Sequence, residues 1–246
     1  MIIMFIILVC NTLGMMRVNT GIRGLDEMLG GGLIANRTYL VKGRAGSGKT
    51  IFSIQFLLEG AKKGENVIYI TLEEPADEVK ENMKLLGLNI NDYDNFYIID
   101  ASPTGDMSIF SDMFFENLVP DVQGLKSALE SRLEIVKPKR VVIDPITMLE
   151  VASKSEVEYR REILYLLKLL KEFSATTIVT SQRTDECAED FMASGVIELL
   201  TFDVKGKVIR GIRIKKMRGT DFDDSIRPYK IKKGGIEVYW TENLFE

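Results

Sequence analysis

The stretch Gly43-Arg44-Ala45-Gly46-Ser47-Gly48-Lys49-Thr50 decides the fold. It reads G-x-x-x-x-G-K-T, the phosphate-binding loop, or Walker A motif. Its glycines let the backbone wrap closely around phosphate oxygens while successive N–H groups point inward. Lys49 is expected to reach the β- and γ-phosphates of a nucleotide, and the Thr50 hydroxyl to ligate Mg²⁺. The helix after the loop aims its positive end at the anion. A glycine-rich turn without nucleotide is the structural alternative. The strand expected before the octet and the helix expected after it argue for the phosphate reading.

Outward from this loop the chain alternates strand and helix. Thr38 to Lys42 reads as a strand, and Thr50 to Lys63 has helical spacing, closed by Gly64. Asn66 to Leu72 is an almost wholly apolar strand of the kind buried on both faces. Pro75 to Leu86 reads as a helix, Phe96 to Asp100 as a strand, and Val122 to Val136 as a helix ended before Pro138. Arg140 to Asp144 is a strand stopped by Pro145. Ser155 and Glu158 form a capping box for a helix to about Phe173, and Thr176 to Thr180 is a strand. After Gly195 the texture becomes β-branched segments with turn residues: Val196–Asp203, Val208–Lys216, Tyr229–Lys232 and Ile236–Trp240. The expectation is an α/β fold: a mainly parallel sheet flanked by helices, with a C-terminal antiparallel hairpin extension. Ala101 to Asp121 is the least regular segment.

Four further residues fit the chemistry of a phosphate loop. Asp144 ends an apolar strand, where the second Mg²⁺ carboxylate of such sites belongs, the Walker B position. The adjacent Glu73 and Glu74 come after the strand ending at Leu72, at the sheet edge where open α/β folds bind ligands. One could serve as general base and the other as its partner; the structural alternative is an acidic cap for the helix after Pro75. Gln182, after the strand Thr176–Thr180, is placed to sense a γ-phosphate or to be a polar loop residue.

Composition removes other chemistries. The 246 residues are 46% hydrophobic and include no histidine, so histidine triads, histidine metal sites and a histidine pH switch are excluded. Two cysteines, Cys10 and Cys187, make neither a disulfide framework nor a four-cysteine zinc site, which reads as a reduced, cytoplasmic protein. The net charge of −4 argues against coating nucleic acid by bulk charge. That charge is uneven. Lys205 to Lys233 holds eleven basic and three acidic residues, a net of +8, so the rest of the chain carries −12. The pattern suits a bound polyanion or an acidic neighbouring copy, or else plain solvated hairpins.

The N-terminus is apolar from Met1 to Cys10 and uncharged to Met16. Ten apolar residues fall short of the ~20 that span a bilayer, so stable membrane insertion is not expected. No basic residue precedes the run as a secretory signal would require. The readings are a buried or interface strand, a weak membrane tether, or an upstream start codon used in place of Met15 or Met16. We favour the last, with residues 1–16 as an extension and 17–246 as one domain.

These residues together resemble the KaiC-like branch of the RecA superfamily, in its single-domain, archaeal type. The likeness runs from about Arg17 to Tyr239. It opens with Thr20-Gly21-Ile22-Arg23-Gly24-Leu25-Asp26-Glu27-Met28-Leu29-Gly30-Gly31-Gly32-Leu33 before the Walker A motif. It continues with Thr71-Leu72-Glu73-Glu74 and Val142-Ile143-Asp144, and closes with Lys216-Met217-Arg218-Gly219-Thr220. The resemblance implies a RecA-like P-loop NTPase core, ATP rather than GTP, Mg²⁺, and paired catalytic glutamates. It also implies a homo-oligomeric ring, with a hexamer favoured, in which Lys216 and Arg218 act in trans on a neighbour's γ-phosphate. A trans arginine of this kind contributes on the order of 10³ to 10⁵ in rate where it acts as a finger. Two departures stand out. Asp221-Phe222 stand where the family often has Ser-His, and Asp185 to Asp190 contains no Ser or Thr, so autophosphorylation is not expected.

Three functional classes are compatible with these features. The first is a slow Mg²⁺-dependent ATPase whose ring changes its hold on a protein partner with nucleotide state. The second is a recombination-type ATPase binding single-stranded DNA, which the absence of an aromatic-rich basic stripe disfavours. The third is a nucleotide-binding interaction module with negligible turnover.

Overall fold

A computed structural model of the chain describes residues 16–103 and 122–245. The N-terminal extension, apart from Met16, and most of the irregular segment lie outside the described residues.

A small antiparallel pair, β1 (Arg17–Val18) with β2 (Leu33–Ile34), precedes the main sheet. The parallel part of that sheet comprises β3 (Thr38–Gly43), β4 (Val67–Thr71), β5 (Phe96–Asp100), β6 (Arg140–Asp144), β7 (Thr176–Ser181) and β8 (Gly195–Val204). The antiparallel part comprises β9 (Lys207–Met217), β10 (Arg227–Lys232) and β11 (Gly235–Val238). The nine strands lie in the order β11-β10-β9-β8-β3-β7-β6-β4-β5. The C-terminal antiparallel strands extend the parallel sheet beyond β8, as the sequence leads one to expect.

Strand alternation sends side chains to opposite faces, and each face has its own core. Tyr39, Val41, Val67, Tyr69 and Val142 pack on one side against Phe52, Phe56 and Leu57 of the helix Lys49–Lys62 and Val79 and Met83 of Ala76–Leu85. Leu40, Ile68, Ile70, Val141 and Ile143 pack on the other side against Leu129 and Leu133 of Val122–Val136 and Ile163, Leu166 and Leu170 of Glu156–Glu172. Burying each large apolar side chain in such a core contributes roughly 1.5–3 kcal/mol, which is why near-continuous apolar strands are the readable part of the chain. In chain order the helices are α1 (Leu25–Met28), α2 (Lys49–Lys62), α3 (Ala76–Leu85), α4 (Val122–Val136), α5 (Thr147–Ala152), α6 (Glu156–Glu172) and α7 (Ala188–Met192).

The cap of α6 differs in part from the expected box. Ser155 Oγ accepts from Glu158 N at 3.2 Å, but Glu158 Oε2 accepts from Lys154 N instead of Ser155 N. The short helices α5 and α7 have no counterpart in the sequence reading, because five or six residues carry no usable periodicity.

Strand order places the functional residues. The carboxyl ends of β3, β7, β6 and β4 lie side by side. Thr71 pairs with Asp144 and Lys42 with Ser181, so Glu73, Asp144, Gln182 and the glycine-rich loop meet at one edge.

Candidate nucleotide site

The loop Gly43–Thr50 links β3 to α2. Gly43 cannot be replaced freely: a Cβ there would stand 2.4 Å from Ser47 Oγ and 2.7 Å from the Leu199 carbonyl oxygen. Gly48, at φ 95°, supplies the left-handed turn into α2. Lys49 Nζ donates to the Gly43 carbonyl at 2.8 Å and the Arg44 carbonyl at 3.2 Å, spanning the cradle it borders. Burial pulls the Lys49 ammonium below its ordinary pKa, against the pull of Asp144 and Glu73. Arg44, Ala45 and Gly46 are exposed at the crest, while Ser47 is buried with its Oγ unpartnered. From β10, Tyr229 Oη donates to the Ser47 carbonyl at 2.6 Å and holds the loop in place.

Thr50 Oγ1 donates to Asp144 Oδ2 at 2.8 Å. Two oxygens in adjacent positions of an octahedral Mg²⁺ lie about 3.0 Å apart, given bonds of about 2.1 Å. The pair therefore fits the cation expected from the sequence, whose remaining ligands would be phosphate oxygens and water. Two residues that sequence reasoning missed complete the setting of Asp144. Tyr69 Oη donates to Oδ2 at 2.8 Å, and Thr180 Oγ1 donates to Oδ1. Tyr69 is 1% exposed, and burial together with the adjacent Asp144 raises its pKa well above the ordinary value. No local signal marks it, since Thr71 in the same strand also carries a hydroxyl.

Glu73 and Glu74 line the same cleft, about 450 Å³, with Lys49, Thr50, Asp144 and Gln182. Neither caps the helix beyond Pro75: the N–H of Ala76 donates instead to Asp100 Oδ2 at 2.8 Å, from the neighbouring strand. The two glutamates differ. Glu73 is exposed to the cleft and accepts from Gln182 Nε2 at 2.8 Å. Glu74 is tied back to α3 by Asn82 Nδ2 at 2.6 Å, and burial raises its pKa, with Glu78, Asp144 and Glu73 adding to the rise.

Lys216 and Arg218 stand elsewhere. They line a different cleft with Glu186, Asp190, Phe191, Val196 and Lys215. Lys216 Nζ donates to the carbonyls of Asp190 and Ala193 at 2.6 and 2.8 Å, and Arg218 to that of Phe191 at 3.0 Å. Much of the basic C-terminal segment is likewise engaged within the chain: Arg213 with Glu198, Arg227 with Asp223 and Lys232 with Glu237.

A parallel sheet with a phosphate loop at its carboxyl edge, a strand-ending aspartate and a cleft glutamate define a RecA-type P-loop fold. The family model for the KaiC ATPase matches residues 18–243, and the chain belongs to that family. It is 33% identical to the circadian clock protein KaiC3 of Synechocystis sp. over 92% of this chain, yet spans 46% of that protein. A UPF0273 protein of Thermotoga maritima is also 33% identical and is matched over 97% of its length. Among solved structures, a KaiC-like protein from Pyrococcus horikoshii superposes with a TM-score of 0.79 at 30% identity, covering 92% of this chain and 99% of that one. The chain thus spans about half of the clock protein and nearly all of the shorter relatives.

Proposed function

We infer that the protein binds ATP with Mg²⁺ and hydrolyses it slowly, as a ring of identical subunits with active sites between neighbours. Its nucleotide state governs its hold on a protein partner. The observation that carries this reading is the convergence of Lys49, Thr50, Asp144, Glu73 and Gln182 on one cleft. Mg²⁺, held by Thr50 and Asp144, would neutralise charge on the β- and γ-phosphate oxygens. Backbone N–H groups of Gly43 to Lys49 and the Lys49 ammonium bind the phosphates once its bonds to the loop carbonyls are exchanged for them. Gln182 orients a water and Glu73 accepts its proton as the water attacks. Glu74, turned toward Asn82, adjusts the charge beside that base.

Lys216 and Arg218 line a cleft apart from their own chain's phosphate loop, which supports their assignment to a neighbour's γ-phosphate. The ion pairs that occupy Arg213, Arg227 and Lys232 favour this reading over a single-stranded DNA surface. We place the protein in the cytoplasm. Among the described residues no helix is long and apolar enough to cross a membrane.

Phosphate release by the wild type and by Glu73→Gln, alongside ATP binding and particle mass in ATP and in ADP, tests the reading. Hydrolysis lost in the variant with binding kept, and a multimer in ATP, is the expected result. Background rates in both proteins would leave only a binding module, and a monomer in both nucleotides would remove Lys216 and Arg218 from the site.

A further inference from the structure

Lys42 is the last residue before the phosphate loop, and its side chain is 2% exposed. A buried ammonium needs a partner, and it has two. It donates to Asp190 Oδ2 at 2.7 Å and to the Asp185 carbonyl at 2.6 Å. Asp190 lies on α7 and accepts on the same oxygen from Cys187 N and Sγ, both at 2.9 Å. Its other oxygen makes no hydrogen bond and faces Lys215 at 3.8 Å. The backbone of this same five-residue helix and its flank carries Lys216, through the Asp190 and Ala193 carbonyls, and Arg218, through the Phe191 carbonyl.

One short helix therefore touches both halves of the proposed site. Its aspartate side chain is pinned to the strand that enters its own phosphate loop. Its carbonyls hold the two cations assigned to the neighbour's nucleotide. Five residues with one hydrogen-bonded turn have little stability of their own, so the position of α7 depends on side-chain anchors. We propose that Asp190 is a positioning residue: paired with Lys42, it fixes α7 so that Lys216 and Arg218 meet the nucleotide bound by the adjacent subunit. This rests on the trans reading of Lys216 and Arg218. Replacing the carboxylate loosens α7, and the loss falls on the neighbour's active site, not on the subunit that carries the change.

That asymmetry makes the test. Asp190→Asn, purified as the full chain, is expected to bind ATP with a KM within about twofold of wild type and to lose about tenfold in kcat. Mixed with Lys49→Ala subunits, which keep intact Lys216 and Arg218, it should recover hydrolysis. Mixed with Arg218→Ala subunits it should not, since no interface then pairs a sound phosphate loop with well-placed cations. The reverse pattern, recovery with Arg218→Ala and none with Lys49→Ala, would put the defect in the subunit's own loop and overturn the proposal, as would an unchanged kcat. A mixture of Lys49→Ala with Arg218→Ala serves as control: if that fails to recover, the trans reading fails and not the role of Asp190. If Asp190→Asn does not fold, Lys42→Met/Asp190→Leu removes both buried charges and goes through the same mixtures. The same pattern is expected, and recovery with Arg218→Ala overturns the proposal there too.

Discussion

Tyr69 Oη donates to Asp144 Oδ2 at 2.8 Å, the same carboxylate oxygen that accepts from Thr50 Oγ1. The two residues sit on adjacent parallel strands, so the sheet itself sets the aspartate's orientation. A group that orients a metal ligand commonly contributes 10–100-fold in metal affinity. Tyr69→Phe is therefore expected to weaken Mg²⁺ binding about tenfold, read as the Mg²⁺ concentration for half-maximal nucleotide binding, while nucleotide binding without Mg²⁺ stays as in wild type. An unchanged Mg²⁺ requirement would show that Thr50 and Thr180 suffice to hold Asp144.

The two glutamates should separate. Glu73 faces Gln182 across the cleft, whereas Glu74 is held by Asn82. Glu73→Gln should lower kcat by on the order of 10² to 10⁴ with ATP binding retained, the range for loss of a general base. Glu74→Gln should cost less, and its KM and kcat together would show whether it acts through its neighbour. A larger loss at Glu74 would exchange the two roles.

Gly43→Ala would drive a methyl group to 2.4 Å from Ser47 Oγ and 2.7 Å from the Leu199 carbonyl, a backbone atom that cannot swing away. The loop or β8 must shift. We expect a stability loss of about 1–3 kcal/mol by chemical denaturation and nucleotide binding too weak to measure by calorimetry. Wild-type binding in a folded variant would show that the cradle relaxes more readily than its packing suggests.

The Lys42–Asp190 pair has a pH signature. Burial alone would raise the Asp190 carboxyl, but hydrogen bonds from Cys187 and Lys42 hold it below its ordinary value. Burial alone would lower Lys42, but Asp190, with Cys187 and Glu198, raises it. A depressed carboxyl gives stability that is present above its unfolded pKa of about 3.9 and lost as pH falls through the folded value. A raised ammonium gives stability that is complete below about 10.4 and lost as pH rises through its folded value. Against Lys42→Met/Asp190→Leu, the wild type should keep a constant relative stability from about pH 5 to about pH 9 and lose ground below about pH 4. A flat difference down to pH 2, by urea unfolding, would contradict the assignment.

The core and the motif residues are legible in the sequence because their signals are local. β4 and β6 announce themselves as apolar runs, and Gly43 to Thr50 must appear in that order for the backbone to wrap a phosphate. Asp144 and Glu73 can be found because strand ends at one sheet edge are where the chemistry has to be. What stays hidden depends on register between distant segments. Nothing near Tyr69 says that its hydroxyl meets Asp144. Nothing near Ala76 says that Asp100 caps its N–H, which is what frees Glu73 and Glu74 from a capping role. The helix Ala188–Met192 is too short for periodicity, and nothing around Lys42 tells it from a solvated charge. The structure sharpens the +8 segment as well: several of its cations are paired within the chain, leaving Lys216 and Arg218 distinctive for their carbonyl perch on α7.

In the proposed ring each active site is built from two subunits. The direct measurement is ATP hydrolysis by an equal mixture of Lys49→Ala and Arg218→Ala subunits, exchanged into common rings. Each alone should be near background, the first without a phosphate-binding lysine and the second without the trans arginine. In the mixture about a quarter of the interfaces pair an intact loop with an intact arginine, so hydrolysis should return to about a quarter of the wild-type rate. A mixture that forms common rings yet hydrolyses no faster than the mean of its two parents would contradict shared sites.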